Sequence, residues 1–180
     1  HLVTAFITFA FSFWIALDLI YPEKKEINRS FRNLLRWGMV VLLIQITWGA
    51  FVAGLDAGWI HNFWPLMAEG KIIHETVWME QNPWWLNFIE GKSGVQFVHR
   101  YLAYLVVAVI LYIWYKSRTL SMTIPQKTGI NLLLFLVFLQ FILGIFTLIL
   151  AVPVWLGVAH QVGAFLLLAA MTFSLHRFSR

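Results

Sequence analysis

The chain has 180 residues, 61% of them hydrophobic and only 12% charged, with no cysteine and a formal net charge of +5. A water-soluble domain carries about a quarter charged residues, so this composition excludes one and predicts an all-α, polytopic membrane bundle. The absence of cysteine removes disulfide frameworks, thiolate metal sites and iron–sulfur clusters.

Five runs are long and apolar enough to cross a hydrocarbon core of about 30 Å, which takes roughly 20 helical residues. They are uniformly apolar rather than alternating, which argues against a membrane barrel. The first, residues 2–21, opens directly at His1, with no Met and no basic leader, so the chain reads as part of a longer protein. Asp18, near the end of that run, is expected to reach water or pair with a cation and is given no catalytic role. A basic segment with Lys24, Lys25, Arg29, Arg32 and Arg36 leads into the second run, residues 34–55.

Residues 57–96 form the one long connection. It holds Trp59, Trp64, Trp78, Trp84 and Trp85 among Glu69, Glu75, Glu80 and Glu90, a mixture that predicts short amphipathic pieces in the membrane interface, either an aromatic belt or a lid. His61 and His74 lie in it without the tight spacing of a metal site and read as solvated loop residues. The third run covers residues 97–115 and is followed by Lys116, Arg118 and Lys127. The fourth covers 129–151, and a short turn at Pro153 leads to the fifth, 155–175. A basic tail carries His176, Arg177 and Arg180, with His176 read as interfacial.

Cytoplasmic loops collect Lys and Arg, and that rule orients the five runs. Ten cations and three acids (Asp18, Glu23, Glu26) fall on one side, a net +7. Three cations (Lys71, Lys92, Arg100) and five acids fall on the other with the tryptophan loop, a net −2. The first side is therefore inner, and the first run begins outside at His1. The basic balance is thus an address for topology, and no nucleic-acid partner is expected.

Two internal echoes suggest duplication. His1, Val3, Ala5, Phe6 and Ala10 recur at one offset as His160, Val162, Ala164, Phe165 and Ala169, and Gln45 and Gly49 of the second run match Gln140 and Gly144 of the fourth. If runs were copied in blocks of four, residues 1–33 are the last helix of an upstream block with its inner loop, and residues 34–180 are a second, four-helix block. Three helices would then precede His1 in the longer protein.

His1, His61, His74, His99 and His160 all fall on the outer side. Lys116 lies seventeen positions after His99 and Arg177 seventeen after His160, so both imidazoles stand about 25 Å from the inner charged ring, at 1.5 Å per residue. Two imidazoles at one depth on separate helices suit the two axial positions of a heme iron; the competing reading is a histidine hydrogen-bonded to a nearby carbonyl. Gly157, Ala159, Gly163 and Ala164 would let a flat macrocycle approach the backbone, and Gly54 and Gly58 serve either cofactor clearance or helix packing. Arg100 is a partner for a propionate carboxylate or an interfacial anchor.

The run Gly49 to Gly58 (GAFVAGLDAG), with Asn62, Pro65, Leu66 and Met67 after it, resembles the signature of the heme A synthase family in its mitochondrial and proteobacterial form. So do Val95-Gln96-Phe97-Val98-His99-Arg100 and Ala159-His160-Gln161-Val162-Gly163. The resemblance covers the whole chain and is to the second half of that enzyme, preceded by the last helix of the first half. It implies an eight-helix protein of two four-helix halves, each holding a histidine pair near the outer face. His99 and His160 would then ligate a resident heme b, with Arg100 beside it. His1 would be the second ligand of the substrate heme in the other half.

The implied reaction is oxidation of the C8 methyl of heme O, through hydroxylation, to the formyl group of heme A. None of its catalytic residues is expected in this stretch, so the isolated chain should bind heme but make no heme A. The heme b would move electrons, since bis-histidine iron has no open position for substrate. The alternative is a membrane b-type cytochrome that only passes electrons. The resemblance further implies a bacterial plasma membrane or mitochondrial inner membrane location, with the heme site outward. Its partners would be membrane lipid, heme O synthase, cytochrome oxidase assembly factors and an unspecified electron donor, and it allows a homo-oligomer.

Overall fold

The computed structural model describes residues 1–21 and 28–179. Glu23, Lys24, Lys25, Glu26 and Arg180, which enter the charge count above, lie outside the described residues. Five helices are long and apolar enough to cross a membrane: α1 (Leu2–Ile20), α2 (Arg29–Gly54), α3 (Lys92–Ser117), α4 (Ile124–Ile149) and α5 (Val154–Arg177). Among the described residues there is no strand, only an isolated bridge between Ala68 and Lys71. The long connection carries three short 3-10 turns, Ala57–Trp59, Glu75–Trp78 and Trp84–Phe88.

Three helices start about five residues before the apolar run that announces them, because their first turns are polar, and those of α2 and α4 are also capped by side chains. Asn28 accepts a hydrogen bond from the Phe31 amide at 3.0 Å, so the basic residues from Arg29 to Arg36 are helical. The boundary at residues 33 and 34 therefore lies inside α2. At the start of α4, Gln126 Oε1 accepts from the Thr123 amide at 3.0 Å with Pro125 in the first turn, while its Nε2 donates to the Arg177 carbonyl at 2.9 Å. One glutamine thus caps α4 and ties it to the end of α5. Helix α3 begins at Lys92, so the last five residues of the expected loop 57–96 belong to it.

Helices α2 to α5 form a closed four-helix bundle. Each packs on the next, α5 returns to α2, and α1 lies against α5 and α2 from outside that ring. The contact of α1 with α5 is aromatic, with Phe165 4.0 Å from Phe9 and 6.0 Å from Phe6, centre to centre. At the end away from the tryptophan loop the bundle is packed solid: Leu35, Ile113, Ile130, Leu133, Leu168 and Met171 are at most 1% exposed. Large apolar side chains such as Phe11, Leu19, Trp37, Phe135 and Val158 point outward, where lipid takes the place of a core.

His176 corrects the sequence reading. It is fully buried rather than interfacial, with Nε2 2.8 Å from Asp18 Oδ1 and its ring edge-on to Trp14 at 5.0 Å. The buried imidazole is accommodated because α1 brings a carboxylate to it.

Candidate functional site

Toward the tryptophan-loop end the packing opens into one apolar cavity of about 410 Å³, within the range of cofactor sites. All five helices and the loop line it, with Phe6 from α1 and Trp59 and Trp64 from the loop. His99 is in the second turn of α3 and His160 in the second turn of α5. Their rings face each other across the cavity with centres 6.5 Å apart and planes at 83°. His1 is exposed at the cap of α1 and is not among the lining residues, although its neighbour Leu2 is.

Each histidine is seated by the preceding helix in the same way. Gln45 Nε2 donates to the His99 carbonyl at 3.1 Å, and Gln140 Nε2 donates to the His160 carbonyl at 2.9 Å. Four residues further along, a methyl on Gly49 would stand 3.0 Å from His99 Cε1, and one on Gly144 would stand 3.0 Å from His160 Cε1. The two glycines thus let the Nδ1–Cε1–Nε2 edge of each imidazole rest on a helix backbone. Sequence reading saw the Gln and Gly echo but not this role; the repeated Gln-x-x-x-Gly spacing was its signal.

The other glycines divide differently from the expectation. A methyl on Gly163 would fall 2.1 Å from Gln140 Oε1, so Gly163 makes room for that side chain rather than for a macrocycle. Gly54 faces open space, and Gly58 is crowded by Val152, whose Cγ2 would lie 2.7 Å from an added methyl. Ala151 and Val152 hold left-handed backbone at φ 56° and 55° in the α4–α5 turn, a strained choice for a β-branched residue. Val152 lines the cavity and is wedged against Gly58, which explains the glycine.

The loop forms a fixed roof, because helix side chains take up its carbonyls. Arg100, 8% exposed, donates from Nη1 to the Leu66 carbonyl and from Nη2 to the His61 carbonyl, both at 2.9 Å. Gln96 donates to the Ala57 carbonyl at 3.0 Å, Trp48 to Phe88 at 3.0 Å, and Tyr101 to Ile72 at 3.2 Å. Asn62 bridges the Gly58 and Leu148 carbonyls at 2.8 and 2.7 Å, fastening the loop to the end of α4. Arg100 is therefore no simple interfacial anchor.

His61 and His74 are half-buried and hydrogen-bonded. Their rings are 4.7 Å apart, His61 Nε2 is 2.9 Å from Ser93 Oγ, and His74 Nδ1 is 2.8 Å from Thr76 Oγ1. Thr76 donates to Ser93, which in turn donates to Glu80. Burial first, then the neighbouring His74 and Arg100, hold His61 below the ordinary imidazole pKa, with Glu80 opposing. Among the described residues no group of three His, Cys, Asp or Glu side chains is placed to hold a metal ion. The imidazoles that line the cavity are those of His99 and His160.

A model of the family described as "Cytochrome oxidase assembly protein" matches residues 1–172. The whole chain aligns at 53% identity with a heme A synthase of Flavobacterium psychrophilum and at 57% with one of Flavobacterium johnsoniae. The chain belongs to the heme A synthase family. A more distant member, the heme A synthase of Beijerinckia indica, is 40% identical over the whole chain. The chain spans about half the length of these curated relatives, 53% of each Flavobacterium protein and 51% of the Beijerinckia protein. No solved structure matches. Family membership agrees with the five apolar helices in making this a multi-pass integral membrane protein.

Proposed function

We propose that this chain is the heme b-binding half of a heme A synthase, with His99 and His160 as axial ligands, at the outer face of a bacterial or mitochondrial inner membrane. In this reading α2 to α5 are the resident-heme half, and α1 belongs to the half where heme O is oxidised to heme A. His1, at the cap of α1, would be a ligand of that substrate heme.

The observation that carries the reading is the 6.5 Å separation of two imidazoles across an apolar cavity. With a metal–imidazole bond of about 2 Å on each side and the ring radii added, one iron fits between the ring centres. The donor set suits it: His99 Nδ1 is buried without a hydrogen-bond partner, and neither ring is occupied by a carboxylate. When bound, the heme supplies one-electron redox chemistry. The chain supplies ligation, exclusion of water by the roof, and a low dielectric around the ring. Arg100 has five N–H donors, of which two hold roof carbonyls, while Nε is buried without a partner. Its unused donors support a contact with a heme propionate.

The test is a reduced-minus-oxidised spectrum with heme extraction on the purified full polypeptide and on His99→Ala and His160→Ala. Each substitution is expected to abolish the low-spin b-type signal, and an unchanged spectrum would overturn the assignment. Heme O or heme A in the extract separates the synthase from a cytochrome that only passes electrons.

A further inference from the structure

We infer that Gln45 with Gly49, and Gln140 with Gly144, are two matched positioning pairs that set the orientation of the His99 and His160 imidazoles toward a shared iron. This rests on the reading of those histidines as axial ligands. The argument starts from the helix: residues four apart lie one turn above another on the same face, so one face of α2 and one face of α4 each present an amide and, a turn later, bare backbone. The amide holds the histidine's own main chain, at 3.1 Å for Gln45 and 2.9 Å for Gln140. The glycine receives the ring edge, with a hypothetical methyl at 3.0 Å from Cε1 in both cases.

Main chain and ring are therefore both fixed, so the nitrogen aimed at the iron has little freedom left. A ligand displaced by even about 0.5 Å is enough to spoil such a site. The α4 pair is elaborated further. Gln140 Nε2 also lies against the nitrogen-bearing edge of His160, 3.1 Å from Nδ1 and 3.3 Å from Nε2, and Gly163 provides the space its Oε1 occupies. With iron on Nε2, Nδ1 would carry the ring's proton and donate, as the Gln140 amide nitrogen beside it also does, so this contact packs against the ring without hydrogen-bonding it. His99 Nδ1 has no such neighbour. The two ligands are thus seated alike through their main chains and differ in what lies beside the ring.

The experiment uses the full polypeptide purified with its heme, with carbon monoxide as the probe, since six-coordinate ferrous heme binds it only when an axial ligand lets go. Gly49→Ala and Gly144→Ala are expected to retain heme while the high-spin, carbon monoxide-reactive fraction rises several-fold over wild type. Gly54→Ala, whose methyl meets nothing within 4 Å, is expected to match wild type. Gln45→Leu and Gln140→Leu, which place no added atom against a glycine, are expected to move the same way as the glycine variants. Gly163→Ala is expected to behave as Gln140→Leu does. Glycine variants that stay fully low-spin and unreactive overturn the inference. If they instead lose heme altogether, glutamine variants indistinguishable from wild type overturn it. Persistence of the low-spin signal in His160→Ala would instead remove the ligand reading underneath.

Discussion

Asn87 is the buried organiser of the roof, and its replacement is the most direct test of how the roof is held. Its side chain is fully buried. Oδ1 accepts from the Glu80 and Gln81 amides, both at 2.9 Å, while Nδ2 donates to the Trp84 carbonyl at 2.7 Å and to the Gln81 carbonyl at 3.3 Å. No other residue among those described closes so many backbone groups of the loop. Asn87→Ala leaves two amides and two carbonyls of this segment without their partner, and three of these four bonds are well formed at 2.7–2.9 Å. At about 1 kcal/mol for each well-formed hydrogen bond, the loss is about 3 kcal/mol of local stability. That corresponds to about two decades in the opening equilibrium. Tyr101 and Arg100 still hold the Ile72 and Leu66 carbonyls before this segment, and α3 begins at Lys92 after it, so the opening should stay within residues 75–91. Hydrogen–deuterium exchange of the protein in lipid nanodiscs reads this directly. The Glu80 and Gln81 amides should exchange about 100-fold faster, with α4 and α5 unchanged. Protection within about threefold of wild type at those two amides would refute the reasoning.

Three further outcomes are expected. The stability of the loop should depend on pH through His61: its folded pKa lies below the ordinary 6.5, so its contribution is present above about pH 6.5 and lost as the pH falls below that value. Protection factors in residues 57–78, corrected for the intrinsic pH dependence of exchange, should then fall more between pH 7.5 and 5.5 in wild type than in His61→Gln; parallel curves would contradict this. Arg100→Lys replaces a planar fork by a single ammonium and cannot hold the His61 and Leu66 carbonyls together. A loss of about 1–2 kcal/mol should speed proteolytic cleavage within residues 61–67 by roughly tenfold, and an unaltered rate would count against the fork. A double-mutant cycle of His176→Leu with Asp18→Asn in mixed detergent unfolding should give a coupling of about 1 kcal/mol, in the range of hydrogen bonds inside membranes; zero coupling would remove the pair as a fastening of α1 to α5.

Much of the site was legible in the sequence because its signals are local or periodic. Depth along a helix follows from residue spacing alone, which is why His99 and His160 could be set at one level by counting back from Lys116 and Arg177. The echoed Gln45 and Gly49, Gln140 and Gly144 were visible as letters. What a glycine is for is not local: Gly163 admits Gln140, Gly58 admits Val152, and Gly54 admits nothing, although each reads in the sequence as a small residue. His61 and His176 were misread for the same reason, since their partners Ser93 and Asp18 arrive from elsewhere in the chain.

By itself the sequence determined that the chain holds five runs able to cross a membrane and which family signature it carries, and it set an expectation for the side its basic ends face. These follow from the cost of burying backbone and charge in hydrocarbon, a cost each segment meets on its own. Only the tertiary structure decided that the bundle is solid at one end and hollow at the other, that two imidazoles face across the hollow at 6.5 Å, and that the tryptophan loop is a fastened roof. Those are properties of contacts between helices, where one added methyl group or one missing amide alters the geometry without altering the apolar pattern of any segment.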